Sequence, residues 1–223
     1  MSISSLSLSR APSHPVHLDV QPALEDRNRL TTAFRIVLAV PHLLLVGAPV
    51  ALTLSWSSGG QGESGLEWGA GGVLGAAAAV VAILAWFAIL FTGRHPEGLW
   101  SFAAFYLRWR VRAVAYMALL RDEYPPFGDG AYAAALEIAR PEGPRDRVTV
   151  AFRPILAIPQ ILAVWLLGIA WAFTTVVAWF AILLTGRFPE GLARFGVGVL
   201  RWNTRVEAYL LLLRDEYPPF SLE

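Results

Sequence analysis

Residues 154–184 read PILAIPQILAVWLLGIAWAFTTVVAWFAILL, an apolar run of 31 positions without a charged side chain. A helix of this length would measure about 46 Å, whereas the hydrocarbon core of a bilayer is about 30 Å thick. Two shorter uncharged runs lie upstream, at residues 36–54 and 69–91. Because a spanning helix needs roughly 20 such residues, the sequence predicts a mainly α, integral membrane helical protein.

The composition of the whole chain supports a membrane location and excludes several kinds of chemistry. Hydrophobic residues make up 56% of the 223 positions and charged residues only 16%, whereas soluble domains have about one half and one quarter. There is no cysteine, so disulfides and thiolate ligands are excluded. No nucleophile elbow, phosphate-binding glycine loop or metal-ligand cluster is present. We therefore predict no enzyme, no catalytic residues, no metal and no cofactor.

The chain contains two copies of one module. Residues 86–127 and 179–220 are identical at 28 of 42 positions without a gap, and the second stretch begins 93 residues after the first. Upstream, residues 29–46 align with residues 147–164 at a spacing of 118 residues. The first copy therefore holds 25 extra residues, which include the polar stretch 55–68.

Each module is predicted to begin with a short strand. Residues 16–20 (VHLDV) alternate apolar and polar side chains, the period typical of a half-buried strand. Residues 134–138 (AALEI) repeat the pattern but are rich in alanine, so a helix is the alternative there. We assign residues 1–13 to a disordered tail, 14–127 to the first module and 128–223 to the second.

The second module leaves two topologies open. Its uncharged run forms either one steeply tilted helix or a hairpin of two short helices that turns near Gly168. A hairpin in each module would put every arginine on one side of the membrane, opposite a loop that carries Glu63 and Glu67. We therefore favour four transmembrane helices in two tandem hairpin modules, in the plasma (inner) membrane, with both termini cytoplasmic. The modules would be related by an axis along the membrane normal.

Each module is predicted to end in an amphipathic helix that lies in the membrane interface. Arginines recur there every four residues, next to tryptophan and tyrosine, a pattern typical of helices whose guanidiniums bind lipid phosphates. The candidate headgroup-binding residues are Arg108, Trp109, Arg112, Tyr116, Arg201, Trp202, Arg205 and Tyr209. In the alternative interpretation, these arginines pair with nearby acids and close the module. The module-closing candidates are Arg94, Asp122, Glu123, Arg187, Asp215 and Glu216.

Arg35 and Arg153 are equivalent positions that stand one turn inside the first membrane segment of each module. A charge inside the hydrocarbon core is costly. Because arginine has a long aliphatic stem, both side chains are expected to snorkel to the near interface.

Three motifs shared by the copies resemble those of a bacterial membrane family. In copy two they are Leu-Leu-Thr-Gly-Arg-x-Pro-x-Gly-Leu, Leu-Arg-Trp-x-x-Arg-Val-x-Ala-Tyr and Leu-Leu-Arg-Asp-Glu-Tyr-Pro-Pro-Phe. Residues 14–223 are similar to domain-of-unknown-function family four-three-eight-nine, which is common in actinobacteria and often occurs as tandem copies. Copy one departs at Phe91 and at the order Arg110-Val111-Arg112. The resemblance implies a membrane location and a duplication, and it carries no catalytic residues over.

The favoured function is that of a non-enzymatic membrane protein that contacts lipids or scaffolds partners on the cytoplasmic membrane face. The expected partners are membrane lipids, anionic ones included, and a membrane protein or a second copy of the chain. No nucleic acid is expected, because the arginines adjoin membrane segments. A small transporter or an accessory subunit of one is the first alternative, since the core is duplicated and its segments contain proline. A lipid-modifying enzyme is the second.

Overall fold

The computed structural model describes residues 14–48 and 72–223, and in this part it contains six helices and one two-stranded sheet. The elements are β1 (Val16–Val20), α1 (Arg29–Ala33), α2 (Arg35–Val46), α3 (Val73–Thr92), α4 (Glu97–Met117), β2 (Ala134–Ile138), α5 (Arg147–Thr185) and α6 (Glu190–Leu210). The mainly helical fold with a strand at the start of each module is confirmed. The predicted disordered tail and the loop 55–68 lie outside the described residues.

The two strands pair antiparallel, with Leu18 opposite Leu136 at the centre of the ladder. These leucines are equivalent positions of the two copies, so the pairing is symmetric about an axis that passes between them. Both are buried, as are Val16 and Val20, because alternate side chains of a strand point to the same face. That face packs on the helices, with β1 against α6 and β2 against α4.

Hydrogen bonds exchanged between the copies follow the same axis. The Arg27 amide donates to the Gly186 carbonyl at 3.1 Å, and its counterpart, the Arg145 amide, donates to the Gly93 carbonyl at 2.9 Å. We call residues 92–94 and 185–187 the Thr-Gly-Arg corners. The segment before the first helix of each copy is therefore bound to the Thr-Gly-Arg corner of the other copy. The two copies are related by an approximate two-fold axis.

The same exchange sets the direction of the long helices. Trp86, near the end of α3, donates to the Val150 carbonyl near the start of α5, at 2.9 Å. Trp179, near the end of α5, donates to the Thr32 carbonyl of α1, also at 2.9 Å. The path through α1, α2 and α3 therefore runs antiparallel to α5. As a result, the two Thr-Gly-Arg corners lie at opposite ends of the antiparallel pair that α1–α3 and α5 form, here called the helical rods.

Helix α5 runs without interruption for 39 residues, so the predicted hairpin near Gly168 is wrong. A lone glycine destabilises a helix by only about 1 kcal/mol. Along the whole of α5, one stripe of residues spaced mostly three or four apart is buried, and this continuous contact stabilises a continuous helix. The stripe consists of Val150, Arg153, Ala157, Gln160, Val164, Gly168, Trp171, Ala178 and Ile182.

Copy one breaks the equivalent helix into α2 and α3. Helix α2 ends just before Gly47 and α3 begins just after Gly72, and by the repeat alignment both glycines correspond to Trp165 of α5. Both have positive φ, 78° and 84°, a conformation that favours glycine. A Cβ on Gly72 would lie 2.8 Å from the Gly47 nitrogen. The two helix ends therefore meet, and the extra residues of copy one are inserted in the middle of a helix.

Helices α4 and α6 form a layer between the sheet and the long helices. Helix α4 contacts α2 and α3, α6 contacts α5, and the two contact each other. Nearly every residue from 103 to 116 of α4 is buried, and so is nearly every residue from 196 to 209 of α6. Their surface is therefore covered mostly by protein, and their place in the membrane interface stays a prediction. Their arginines are bound by groups inside the protein, as described below.

Helices α2, α3 and α5 leave most of their apolar surface uncovered. In the described part of the chain, α3 and α5 are the two helices long and apolar enough to cross a membrane, where four were predicted. Only 22% of the most apolar 18-residue window of each is buried. Large exposed side chains run the length of α5, for example Phe152, Leu162, Phe173 and Leu184.

Candidate functional site

A largely buried cluster, of two buried arginines and one partly exposed aspartate, holds the beginning of copy one against its end. Asp122 accepts a hydrogen bond from Arg35 Nη2 at 2.5 Å and lies 2.7 Å from Arg27 Nη2. Arg35 Nη1 also donates to the Arg121 carbonyl at 2.8 Å. The Arg35 guanidinium stands 4.1 Å from the centre of the Tyr116 ring, a cation–π contact.

Copy two repeats this cluster contact for contact. Asp215 lies 2.5 Å from Arg153 Nη2 and 2.6 Å from Arg145 Nε. Arg153 Nη1 donates to the Arg214 carbonyl at 2.9 Å, and its guanidinium stands 4.4 Å from the Tyr209 ring centre. Both clusters therefore join the first helical segment of a copy to the Arg-Asp-Glu motif at its end.

The expectation that Arg35 and Arg153 snorkel to the membrane interface is wrong. Both side chains are at most 3% exposed and turn inward to an aspartate that supplies the opposite charge. Burial lowers the pKa of the Arg27 and Arg145 guanidiniums from its ordinary value, and the neighbouring carboxylate opposes that shift. These charges are paired inside the protein, so they close each copy rather than face lipid.

A buried hydrogen bond from a tryptophan fastens α4 to α2 and α6 to α5. Trp109 Nε1 donates to His42 Nδ1 at 3.2 Å, and the equivalent Trp202 Nε1 donates to Gln160 Oε1 at 2.8 Å. Gln160 in turn donates to the Pro218 carbonyl at 2.6 Å. Sequence reasoning missed this contact. The available signal was a polar residue at the same repeat position in two apolar segments.

The residues predicted to bind lipid headgroups lie mostly inside the protein. Six of the eight are no more than 8% exposed: Trp109, Arg112, Tyr116, Trp202, Arg205 and Tyr209. Arg112 Nη1 donates to the Gly128 carbonyl at 2.6 Å, and Arg205 Nη2 donates to the Ser221 carbonyl at 3.1 Å. These guanidinium donors are therefore used within the chain.

Four of the predicted arginines are at least partly exposed. Arg108 Nε lies 3.4 Å from an Asp129 carboxylate oxygen, and Arg201 Nε donates to a carbonyl of β1 at 3.1 Å, so both belong to the side of the molecule that carries the sheet. Arg94 and Arg187 are exposed at the two Thr-Gly-Arg corners.

The acidic module-closing candidates divide into two kinds. Asp122 and Asp215 are the carboxylates of the buried clusters. Glu123 and Glu216 are exposed and pair with the arginine two residues before them. Only the first kind joins distant parts of the chain.

The ion pair between Arg110 and Glu207 links the copies in one direction only. Arg110 Nε lies 2.9 and 3.0 Å from the two carboxylate oxygens of Glu207. Its Nη1 donates to the Val46 carbonyl at 2.6 Å and its Nη2 to the Ala48 carbonyl at 3.2 Å. Arg110 thus binds carbonyls left free where α2 ends. Copy two has Asn203 at this position, and its helix continues.

Comparison with known proteins assigns this chain to a protein family. No curated protein and no solved structure matches the chain. Residues 66–128 and 147–221, more than half of the chain, match the family described as "Domain of unknown function (DUF4389)". Each matched segment contains the Thr-Gly-Arg corner, the tryptophan of α4 or α6 and the aspartate of a buried cluster. The chain therefore belongs to this family, with two copies in tandem.

Proposed function

We propose that this protein is a non-enzymatic membrane protein that contacts lipids through α2, α3 and α5 and presents its sheet to the cytoplasm. The observation that carries the proposal is α5, which is uncharged over residues 154–184 and is buried along one stripe only. Soluble monomers rarely expose contiguous apolar patches larger than a few hundred Å². Contact with lipid would remove this apolar surface from water.

The two-fold axis supports an orientation in which the long helices lie in the plane of the membrane. If α5 crossed the bilayer, the axis would lie in the membrane plane and the sheet would sit at half depth. The outer face of the sheet carries exposed Asp19 and Glu137. Carboxylates and open strand edges that face hydrocarbon are strongly unfavourable. An axis along the membrane normal keeps the sheet in water.

The Thr-Gly-Arg corners favour the same orientation. They lie at opposite ends of the helical rods, so a crossing orientation would put Arg94 and Arg187 on opposite sides of the membrane. In the plane, both corners lie at one level beside lipid phosphates. Arg147 lies next to Gly93, and Arg29 lies next to Gly186. Each corner therefore carries two exposed arginines, as the positive-inside rule favours for a cytoplasmic surface.

The cavities and acidic side chains of the described residues bear on the two alternative functions. A transporter of polar solutes requires a polar cavity between the repeats. The cavity beside the middle of α5 is lined mainly by apolar side chains. A second cavity of about 420 Å³, between Arg94 and His95 of the first copy and Arg140 and Arg145 of the second, has a more polar lining. A lipid-modifying enzyme requires a free acid or base. The aspartates of the buried clusters are each neutralised by two arginines.

The orientation is tested by measuring the depth of labels along α5. The chain has no cysteine, so single cysteines at Ile155, Leu166 and Leu184, which share one exposed face, can carry nitroxide labels in proteoliposomes. Accessibility to oxygen and to a water-soluble nickel chelate reports depth. We expect three similar depths inside the lipid and a water-exposed label at Asp19. A maximum depth at Leu166 with both ends near the surface would replace the in-plane orientation with a crossing one.

The lipid contact is tested by a matched pair of double variants. Arg94→Gln with Arg187→Gln removes two corner charges, whereas Arg108→Gln with Arg201→Gln removes two charges on the sheet side. Each arginine near an anionic surface contributes about 1 kcal/mol, so the first variant should bind phosphatidylglycerol vesicles about thirtyfold more weakly. The second variant should bind like the wild type. Equal weakening by both variants would contradict the assignment of the corners to lipid headgroups.

A further inference from the structure

A groove opens between the two copies beneath α4 and α6. Its volume is about 420 Å³, and its walls come from the start of α2, the end of α4, the middle of α5 and one face of α6. Most lining side chains are apolar, among them Val114, Trp171 and Val199; the polar lining residues are Arg35, Thr175 and Asn203. The guanidinium of Arg35 is already bound to Asp122.

The mouth of the groove belongs to the surface proposed to face lipid. Ile36, Val176 and Phe180 line the groove and are also 77%, 55% and 53% exposed. These residues lie on α2 and α5, the helices with the uncovered apolar faces. A lipid beside α5 therefore reaches the interior of the groove without crossing a polar barrier.

The groove lies where three positions carry shorter side chains than their equivalents in the other copy. Its walls contain Val199, Asn203 and Val114. The equivalent positions on the other side hold Tyr106, Arg110 and Glu207, which are all longer side chains. Tyr106 and Arg110 are only 1% and 4% exposed, so they occupy the interior there. Among the described residues, longer side chains therefore stand on the other side of the axis where the groove has shorter ones.

We infer that the groove holds one acyl chain of a membrane lipid. This inference rests on the proposed membrane location. A polar ligand would lose more hydrogen bonds to water than Thr175 and Asn203 could replace, and water itself is poorly accommodated by a mainly apolar cavity. A hydrocarbon chain meets neither difficulty and gains contact with every wall. The headgroup of the lipid stays outside, because the arginine at the groove is engaged within the protein.

The inference is tested by native mass spectrometry of the full chain, released from detergent micelles that contain either phosphatidylglycerol or free oleic acid. Ala172→Phe places a ring in the groove from α5. Ala79→Phe makes the same change at the equivalent position of α3 and serves as the matched control. We expect the wild type to retain one phosphatidylglycerol. Ala172→Phe should weaken retention about tenfold and Ala79→Phe less than about twofold.

A second variant covers the case in which Ala172→Phe fails to fold. Val199→Tyr copies the residue of the other side and should weaken retention in the same way. Equal retention by a folded Val199→Tyr or Ala172→Phe variant would overturn the inference, and so would an empty wild type. Retention of oleic acid without phosphatidylglycerol would show that the occupant is a free fatty acid and not a membrane lipid. Vesicle flotation separates the two proposals, because groove variants should still float. A wild type that does not float would instead contradict the membrane location.

Discussion

Helix α5 of copy two passes straight through Trp165, whereas copy one ends a helix at that place and begins another after its extra residues. Beside the break stand Arg110 and Glu207, one binding the free carbonyls of α2 and the other balancing the charge. Beside the intact helix, the same two positions are Asn203 and Val114. One capping side chain and its counter-ion thus accommodate an insertion into the middle of a helix.

The buried arginine–aspartate clusters are the opposite case, because they are the same in both copies. The arginine–aspartate clusters are interactions that stabilise both copies. The Arg110–Glu207 pair beside the helix break is an interaction that distinguishes the copies. Changes in the first group should therefore act equally in both copies, and changes in the second group should act in one copy only.

The largest effect is expected from Asp122→Ala and Asp215→Ala. Each leaves two buried guanidiniums without a carboxylate, which should lower the free energy of unfolding by about 3–5 kcal/mol. The measurement is denaturant unfolding in detergent. Glu123→Ala and Glu216→Ala are the controls, and as exposed pairs they should cost no more than about 1 kcal/mol. A large loss in one copy alone would contradict the equivalence of the clusters.

The next effect concerns the unshared pair. Arg110→Asn gives copy one the residue of copy two and frees the carbonyls at the end of α2. It also leaves the mostly buried Glu207 without its guanidinium partner, with the Asn203 amide at 2.9 Å as its remaining donor. We expect a loss of about 3 kcal/mol in the free energy of unfolding. Adding Glu207→Val, the residue type of its counterpart, should recover part of that loss, since no charge is then left alone. An additive loss in the double variant would show that the two side chains do not act as a pair.

Removing the insertion should reduce the loss in the free energy of unfolding that Arg110→Asn with Glu207→Val causes. Deleting residues 48–72 and replacing Gly47 with Trp would give copy one an uninterrupted helix like α5. In that background the helix has no free carbonyls at this point, so Arg110→Asn with Glu207→Val should cost about 1–3 kcal/mol less than in the parent chain. Unfolding of all four proteins gives this coupling. A coupling near zero would mean that Arg110 does not serve the break.

The smallest effect is expected at the tryptophan hydrogen bonds. Trp109→Phe and Trp202→Phe each remove one buried donor and should lower the free energy of unfolding by about 1–2 kcal/mol. His42→Gln, which gives copy one the acceptor used in copy two, should change it by less than about 1 kcal/mol. A much larger loss for His42→Gln would show that the imidazole ring has a role beyond accepting this bond.

Much of the architecture could be predicted from periodicity and from the repeat. The alternation of apolar and polar residues at 16–20 located β1, and the change in repeat spacing from 118 to 93 residues located the insertion. The predicted hairpin near Gly168 is wrong because the placement of arginines does not determine whether a helix is continuous. The buried stripe of α5, which passes through Gly168 without a change of face, is the feature that decides it.

The environment of the arginines could not be predicted in the same way. Periodicity shows which residues share a face of a helix, but it does not show whether lipid or protein covers that face. Arg112 and Arg205 have the spacing of an interfacial helix, yet their partners are carbonyls of the segments that follow α4 and α6. The hydrogen bonds exchanged between the copies could not be predicted either, because a repeated sequence is equally consistent with each copy packing on itself.

The symmetric strand pair and the exchanged hydrogen bonds have a consequence for how such a chain can change over time. A single copy would leave its first segment without the corner that binds it, so two separate single-copy chains would have to associate as a two-fold dimer to make the same contacts. In such a dimer every substitution appears twice, and both grooves would be open or both filled. Joining the copies in one chain lifts that restriction. It lets Val199 and Tyr106 differ, so that one side can stay open for a ligand while the other side is filled by packing.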